Sequence, residues 1–161
     1  MPRYDAIVLG SGQAGNPLSQ KMADHGWTVA LVEKDHLGGT CVNTGCTPTK
    51  TLIASAQVAH YARHAARWGV RTGEVSVDLP RVVARKEQVV LQWRSGVERK
   101  VQERPGLHLY RGHGRFLDPH CVRIGEQVAV NLPDEGADGG RVQRIDTAAG
   151  GKQVAATQTR Q

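Results

Sequence analysis

The chain has 161 residues, 39% of them apolar and 22% charged, with a net charge of +6 at pH 7 and three cysteines. That length fits one domain, and no apolar run approaches the roughly 20 residues of a membrane span. Nothing at the N-terminus has the form of a secretory leader, so a cytoplasmic setting is expected, in which closely spaced cysteines serve catalysis or metals more often than structural bridges.

Tyr4 to Leu9 reads as a short buried strand, Gly10-Ser11-Gly12-Gln13-Ala14-Gly15 as a turn, and Pro17 to His25 as a helix. Strand, glycine turn and helix in this order form a dinucleotide-binding fingerprint. Gly10 allows the tight turn, Gly12 lets the backbone approach a pyrophosphate, and Gly15 lets the helix pack close on the strand. The anion then sits on free amides at a helix N-terminus. A second apolar run, Thr28 to Val32, closes at Glu33, 18 residues after Gly15, where a carboxylate can accept from ribose hydroxyls.

Cys41 and Cys46 lie inside Gly38-Gly39-Thr40-Cys41-Val42-Asn43-Thr44-Gly45-Cys46-Thr47-Pro48-Thr49-Lys50. On a regular helix, at roughly 1.5 Å per residue, this spacing puts the two α-carbons beyond bridging range. A disulfide between them therefore needs a distorted turn, which Gly45 makes easy. Cys46 would then begin the helix that continues through Thr51 to Ala66, where the positive helix end and Lys50 favour a thiolate. Cys41, Cys46, His60 and His64 also approach the ligand spacing of a two-Cys, two-His zinc finger. Pro48 and the alanine-rich helix supply neither the hairpin nor the aromatic core of such a finger, and no metal ligand is assigned. His60, His64, Arg63 and Arg67 read as a solvated helix face opposite a buried face of Leu52, Ala56, Ala59, Ala62 and Ala66.

The positive charge has a local source: residues 81–115 hold nine Lys or Arg against three Glu. Leu79, Val82, Val83, Val89, Val90, Trp93, Val97 and Val101 follow helical spacing from Pro80 to about Glu103, which makes the basic residues the wet side of an amphipathic helix. No interleaved aromatics or recognised module supports a nucleic-acid partner. Pro105-Gly106 marks a turn, Leu107 to Arg111 a third strand, and Arg115–Leu117 with Cys121–Ile124 a hairpin turned at Asp118-Pro119. Cys121 reads as a half-buried strand residue. From Asn131 to Gln161 there is no aromatic residue and few large aliphatics, so this stretch is expected to add little core.

The segment Gly38 to Lys50, with the fingerprint before it and Arg111-Gly112-His113-Gly114-Arg115-Phe116 after it, resembles the class I pyridine nucleotide-disulfide oxidoreductases. That family includes dihydrolipoamide dehydrogenase, glutathione reductase and mercuric reductase, and the resemblance covers Tyr4 to Ile124. Thr44, Thr47 and Thr49 stand where valine, isoleucine and serine are commoner, a form most similar to the mercuric reductase-like branch.

The resemblance implies FAD, rather than NAD, at the fingerprint. Gly12, Ala14 and Gly15 would lie at the pyrophosphate, Glu33 at the adenosine ribose, the backbone around Gly112 and His113 at the adenine, and Lys50 near the reactive flavin nitrogen. Gly10, Gln13, Lys34, Gly39 and Thr40 would also belong to the cofactor site. Cys46 would face the flavin and accept electrons, and Cys41 would be the interchange thiol that attacks a small thiol, disulfide or metal-ion substrate such as lipoamide or mercuric ion.

The implied fold is α/β: a Rossmann-like FAD-binding domain with a three-strand parallel sheet, an inserted helical pair and a small β hairpin over residues 1–126, then a poorly ordered tail over 127–161. Family members are homodimers that take electrons from NAD(P)H through a second fingerprint and use a histidine–acid pair from a C-terminal interface domain. Neither follows here, nor does the Ala-Thr-Gly or Asn-Thr-Gly turn that returns the family's chain to the flavin sheet. The expectation is either a chain truncated or frameshifted near Glu126 or a family fragment with an unrelated tail, in both cases inactive alone as a reductase. A non-catalytic flavin-binding remnant and a small thiol-redox or metal-binding module are the alternatives.

Overall fold

A computed structural model describes residues 2–125 and the strands at 128–131, 141–147 and 152–158. The chain divides into two units, Met1–Gly39 with Gly96–Gln161, and Thr40–Ser95.

The first unit is built on a sheet. It contains β1 (Ala6–Leu9), α1 (Gly15–Asp24), β2 (Val29–Glu33), the end of a long helix α4 (Leu79–Gln102) and β3 (Leu107–Arg111). β4 (Gly114–Phe116), β5 (Cys121–Ile124), β6 (Val128–Asn131), β7 (Arg141–Thr147) and β8 (Lys152–Gln158) follow. Strand order is β3-β2-β1-β8-β7, with β1, β2 and β3 parallel as expected and Ala6 opposite Val29.

Both β1 and β2 are covered on two faces, which is why they read as continuous apolar runs rather than as alternations. On one face Ala6, Val8, Val29 and Leu31 pack with Ala23 of α1, Val101 of α4, and Leu37 and Leu107. On the other, Ile7, Ala30 and Val32 pack with Tyr4, Val122 and Ile124, so the small sheet β4-β5-β6 covers the side away from α1. α1 comes close because its buried stripe is Gly15, Ser19 and Ala23, three small residues four apart.

The structure corrects several expectations here. The first strand begins at Ala6, although Tyr4 stays buried and its hydroxyl shares a 2.7 Å hydrogen bond with that of Tyr110. The hairpin starts at Gly114, where a Cβ would meet Leu9 Cδ2 at 2.8 Å, and it gains β6 as a third strand. Cys121 is buried rather than half-buried. Beyond residue 127, β8 runs antiparallel to β1, with β7 beside it. Glu126 and the other positions of 126–161 lie outside the described residues, as do the expectations placed on them.

The second unit is helical: α2 (Gly39–Asn43), whose first residue belongs to the first unit, α3 (Cys46–Arg63), a 3-10 turn at Ala65–Trp68 and the first part of α4. Arg85 Nη1 donates to Thr51 O at 3.1 Å and Ser55 Oγ at 3.3 Å, tying α4 to α3. Arg94 Nε donates to Asn43 Oδ1 at 2.8 Å, tying α4 to α2.

The buried face expected for α3 is absent: Leu52, Ala56 and Ala66 are exposed, and Thr51 is the helix's buried residue. Ala59 and Ala62 instead line an open cleft of about 530 Å³ with Val58, Val75, Val77 and Val82. A pair of helices can close only one seam, and this one is left partly open. The apolar stripe of α4 is likewise shorter than its spacing promises, with Val90 and Val101 buried but Leu79, Val83 and Trp93 exposed.

Candidate functional site

The cofactor elements of the first unit converge at the C-terminal ends of β1, β2 and β3. After Leu9 the chain turns at Gly10, whose φ of +96° is left-handed and suits glycine, while its N–H donates to Val32 O at 2.7 Å. Gly15 acts by closeness: a Cβ there would lie 2.0 Å from Gly10 O and 3.1 Å from Val8 Cγ1. Both glycines thus hold the positions the fingerprint requires. Ala14 caps α1 without a side-chain hydrogen bond, and no acidic residue stands in the first turn. The N-terminus of α1 thus carries neither a side-chain cap nor an acid of its own. Gly12 is half-buried and Gln13 exposed on the same loop.

Glu33, at the end of β2, is 5% exposed. Its Oε2 accepts from the Ser11 N–H at 2.8 Å and the Ser11 hydroxyl at 2.6 Å, and its Oε1 accepts from the Asp35 N–H at 3.1 Å. Ser11 in turn accepts from the Gly38 N–H at 3.2 Å. Lys34 points into solvent. Beyond β3, the Gly112 N–H donates to the Glu33 main-chain carbonyl at 2.9 Å, which brings the start of the Gly112–His113 segment beside the end of β2. The structure therefore brings the fingerprint turn, Glu33 and the Gly112–His113 segment together at the carboxyl ends of parallel strands, the place where such sheets bind ligands. Ser11 is the residue missed by sequence reasoning; a serine between fingerprint glycines carries no signal until its distance to Glu33 is seen.

In the second unit, Cys41 lies on α2 and Cys46 is the first residue of α3. Gly45 joins them with an ordinary φ of −118°; its need is steric, since a Cβ would sit 2.9 Å from Thr40 O and 3.4 Å from Cys41 Cα. The backbone bonds Thr44 N–H to Thr40 O at 2.9 Å and Thr49 N–H to Gly45 O at 3.1 Å close this turn. Both cysteines are reduced, Cys41 half-buried and Cys46 exposed.

The two thiols are hydrogen-bond partners. That bond, with burial and the charge of Cys46, pushes the Cys41 thiol above the ordinary range, while the Cys46 N–H and Lys50 pull it back. Thr40 and Lys50 are exposed beside the pair. Cys121 sits apart in sequence within β5, its thiol pushed up by burial and by Asp118.

His60 and His64 lie near the far end of α3, at least 14 residues from Cys46, or about 20 Å of helix rise. The four side chains of the zinc alternative are not one site, and no group of three or more metal-ligating side chains occurs among the described residues. No helix among them is long and apolar enough to cross a membrane.

A pyridine nucleotide-disulphide oxidoreductase family model matches residues 4–138. The chain belongs to this family. It is 45% identical over 122 residues to a dihydrolipoyl dehydrogenase of Chlorobaculum parvum, covering 76% of this chain and 26% of that protein. Over 116 residues it is 40% identical to the dihydrolipoyl dehydrogenase of Bacillus subtilis, covering 72% of this chain and 24% of the relative. Among solved structures, a Cu(II) complex of a cysteine-to-serine mutant of the HOCl-induced flavoprotein disulfide reductase RclA from Escherichia coli superposes with a TM-score of 0.66 at 30% identity, over 82% of this chain and 27% of that one. The chain thus spans about a quarter of the length of these relatives.

Family membership implies FAD as the cofactor, with NAD(P)H a further cofactor of the family. The residues fit FAD: an uncapped helix N-terminus behind closely packed glycines, and a buried carboxylate at the end of β2.

Proposed function

We propose that this chain is the FAD-binding, redox-disulfide portion of an NAD(P)H-dependent flavoprotein disulfide oxidoreductase. Gly10, Gly12, Gln13, Ala14 and Gly15 would hold the pyrophosphate, Glu33 and Lys34 the adenosine ribose, and Gly112 and His113 the adenine. Gly39, Thr40 and Lys50 would hold the flavin end. When bound, FAD supplies two-electron redox chemistry. The chain's own part is the interconversion of the Cys41–Cys46 dithiol and disulfide.

The observation that carries this reading is the placement of Cys41 on α2 and Cys46 at the start of α3, across a turn where a Cβ at residue 45 would lie 2.9 Å from Thr40 O. Toward a disulfide substrate, the Cys41 thiolate attacks one sulfur and forms a mixed disulfide; the first substrate thiolate leaves and takes a proton. Cys46 then attacks the Cys41 sulfur, which breaks the mixed disulfide, frees the second thiol and leaves Cys41 bridged to Cys46. Two electrons pass to the substrate, and the reverse sequence oxidises a dithiol. Lys50 and the Cys46 N–H favour the Cys41 thiolate when it forms.

A small disulfide or dithiol of the lipoamide kind is favoured by the dihydrolipoyl dehydrogenase relatives. A metal-ion substrate such as mercuric ion is the second reading, supported by the threonines at 44, 47 and 49 and by the Cu(II) complexes among the structural neighbours. A cytoplasmic setting and a homodimer of the longer protein accompany either reading.

The test is a thermal-shift series with FAD and NAD joined to mapped alkylation. FAD at a hundred times its Kd should stabilise by about 2.7 kcal/mol, NAD by much less, and Gly12→Val should abolish the FAD effect. Mild oxidation should protect Cys41 and Cys46 together. Equal shifts with both nucleotides, or protection that pairs Cys121 with either thiol, would overturn the proposal. Mercuric ion and lipoamide, offered separately to the reduced chain, decide between the two substrates by which one consumes both thiols at stoichiometric amounts.

A further inference from the structure

Ser11 lies between two fingerprint glycines, has no exposed surface, and bonds two separate segments. Its N–H and hydroxyl both donate to Glu33 Oε2, at 2.8 and 2.6 Å, and its oxygen accepts from the Gly38 N–H at 3.2 Å. The Glu33 side chain is itself buried, so its carboxylate depends on such donors for the solvation it has lost. Two donors from one residue onto one oxygen also fix the direction in which the carboxylate points. Glu33 Oε1 is engaged on its other side by the Asp35 N–H.

Gly38 has a φ of +93° and Gly39 a φ of +60°, and the next residues are Thr40 and Cys41. One hydroxyl therefore bonds both the acid at the end of β2 and the backbone turn that opens the cysteine segment. We propose that Ser11 is a positioning residue for the cofactor: it holds Glu33 in place for the adenosine ribose. This rests on the FAD reading above. An alanine at 11 keeps the main-chain N–H but removes the shorter bond to Glu33 and the acceptor for Gly38.

The test is a double-mutant cycle on ligand affinity. FAD and FMN are titrated by fluorescence quenching into the wild type, Ser11→Ala, Glu33→Ala and the double variant, because FMN lacks the adenosine ribose. Ser11→Ala should weaken FAD about ten- to hundredfold, the effect of losing a hydrogen bond to a charged group. FMN should be unaffected, and the Ser11 change should add nothing once Glu33 is alanine. Equal weakening of FAD and FMN, or the same loss in the Glu33→Ala background, would mean that Ser11 acts only on the fold and would overturn the proposal. Ser11→Thr, which keeps a hydroxyl, should retain more FAD affinity than Ser11→Ala, and circular dichroism identifies any variant that fails to fold. Unweakened FAD binding in Ser11→Ala overturns the role of Ser11 alone, whereas a wild type that ignores FAD overturns the FAD reading and this proposal with it.

Discussion

Replacing Gly15 by alanine should destabilise the chain, while the same replacement at Gly96 should stabilise it. At Gly15 a new Cβ would lie 2.0 Å from Gly10 O, so something must move by more than about 1 Å to restore van der Waals contact. The carbonyl cannot swing away, because Gly10 is fixed by its φ of +96° and by the 2.7 Å bond from its N–H to Val32 O. Relief must lift α1, which disturbs the buried contacts of Ser19 and Ala23. Overpacking of this kind costs about 1–3 kcal/mol, and rigid main chain on both sides places Gly15 at the upper end. Alanine returns up to about 1 kcal/mol through helix propensity, less at the first helical residue, which leaves a net loss of about 2 kcal/mol. At Gly96, inside α4, nothing lies within 4 Å of the added carbon, so only the propensity gain of about 0.5–1 kcal/mol remains. At about 2–4 °C per kcal/mol for a chain of this size, Tm should fall by roughly 4–8 °C in the first variant and rise by roughly 1–4 °C in the second. Urea and thermal unfolding followed by circular dichroism would show both. A Gly15→Ala protein as stable as the wild type would refute the packing of α1 on β1 described above.

Gly45→Ala should make the Cys41–Cys46 bridge harder to form, since its Cβ would press on Thr40 O at 2.9 Å and part α2 from α3. A tenfold loss in the thiol–disulfide equilibrium, about 30 mV in a glutathione titration, is expected, and an unchanged potential would contradict it. Stability should decline in alkali through Tyr4, whose pKa is raised well above the usual value, by burial first and then by the hydrogen bond to Tyr110. Above about pH 10 the unfolded chain loses this proton while the folded chain keeps it, so the contribution is whole below pH 10 and falls by up to about 1.4 kcal/mol per pH unit beyond it. Urea titrations from pH 8 to 11 should show that loss reduced in Tyr4→Phe; an equal loss in both proteins would refute the assignment.

The parts of the fold that were legible are those where one segment states its own environment. β1 and β2 announce themselves because strands covered on both faces are apolar throughout, and Gly10 and Gly15 because the turn and the close helix each demand a missing side chain. α2 carries no such signal: five residues opening on a glycine show no periodicity. The alanines of α3 have helical spacing whether or not anything covers them, so Leu52, Ala56 and Ala66 read as buried and are not. β8 pairs with β1 across nearly the whole chain, a contact that local composition does not encode. In the site, the cysteines and Glu33 were legible from chemistry and spacing. Ser11 was not, because its role depends on a distance across 22 residues of sequence.

The central claim, that Cys41 and Cys46 form a relay to the flavin, is tested most directly by electron flow from a dithiol. The chain is loaded with FAD, dithiothreitol is added without oxygen, and the flavin's visible absorbance is followed to equilibrium. Bleaching in the wild type and in Cys121→Ser, much slowed in Cys46→Ser and in the variant lacking both Cys41 and Cys46, is the predicted result. Bleaching at the same rate without the two cysteines would contradict the account.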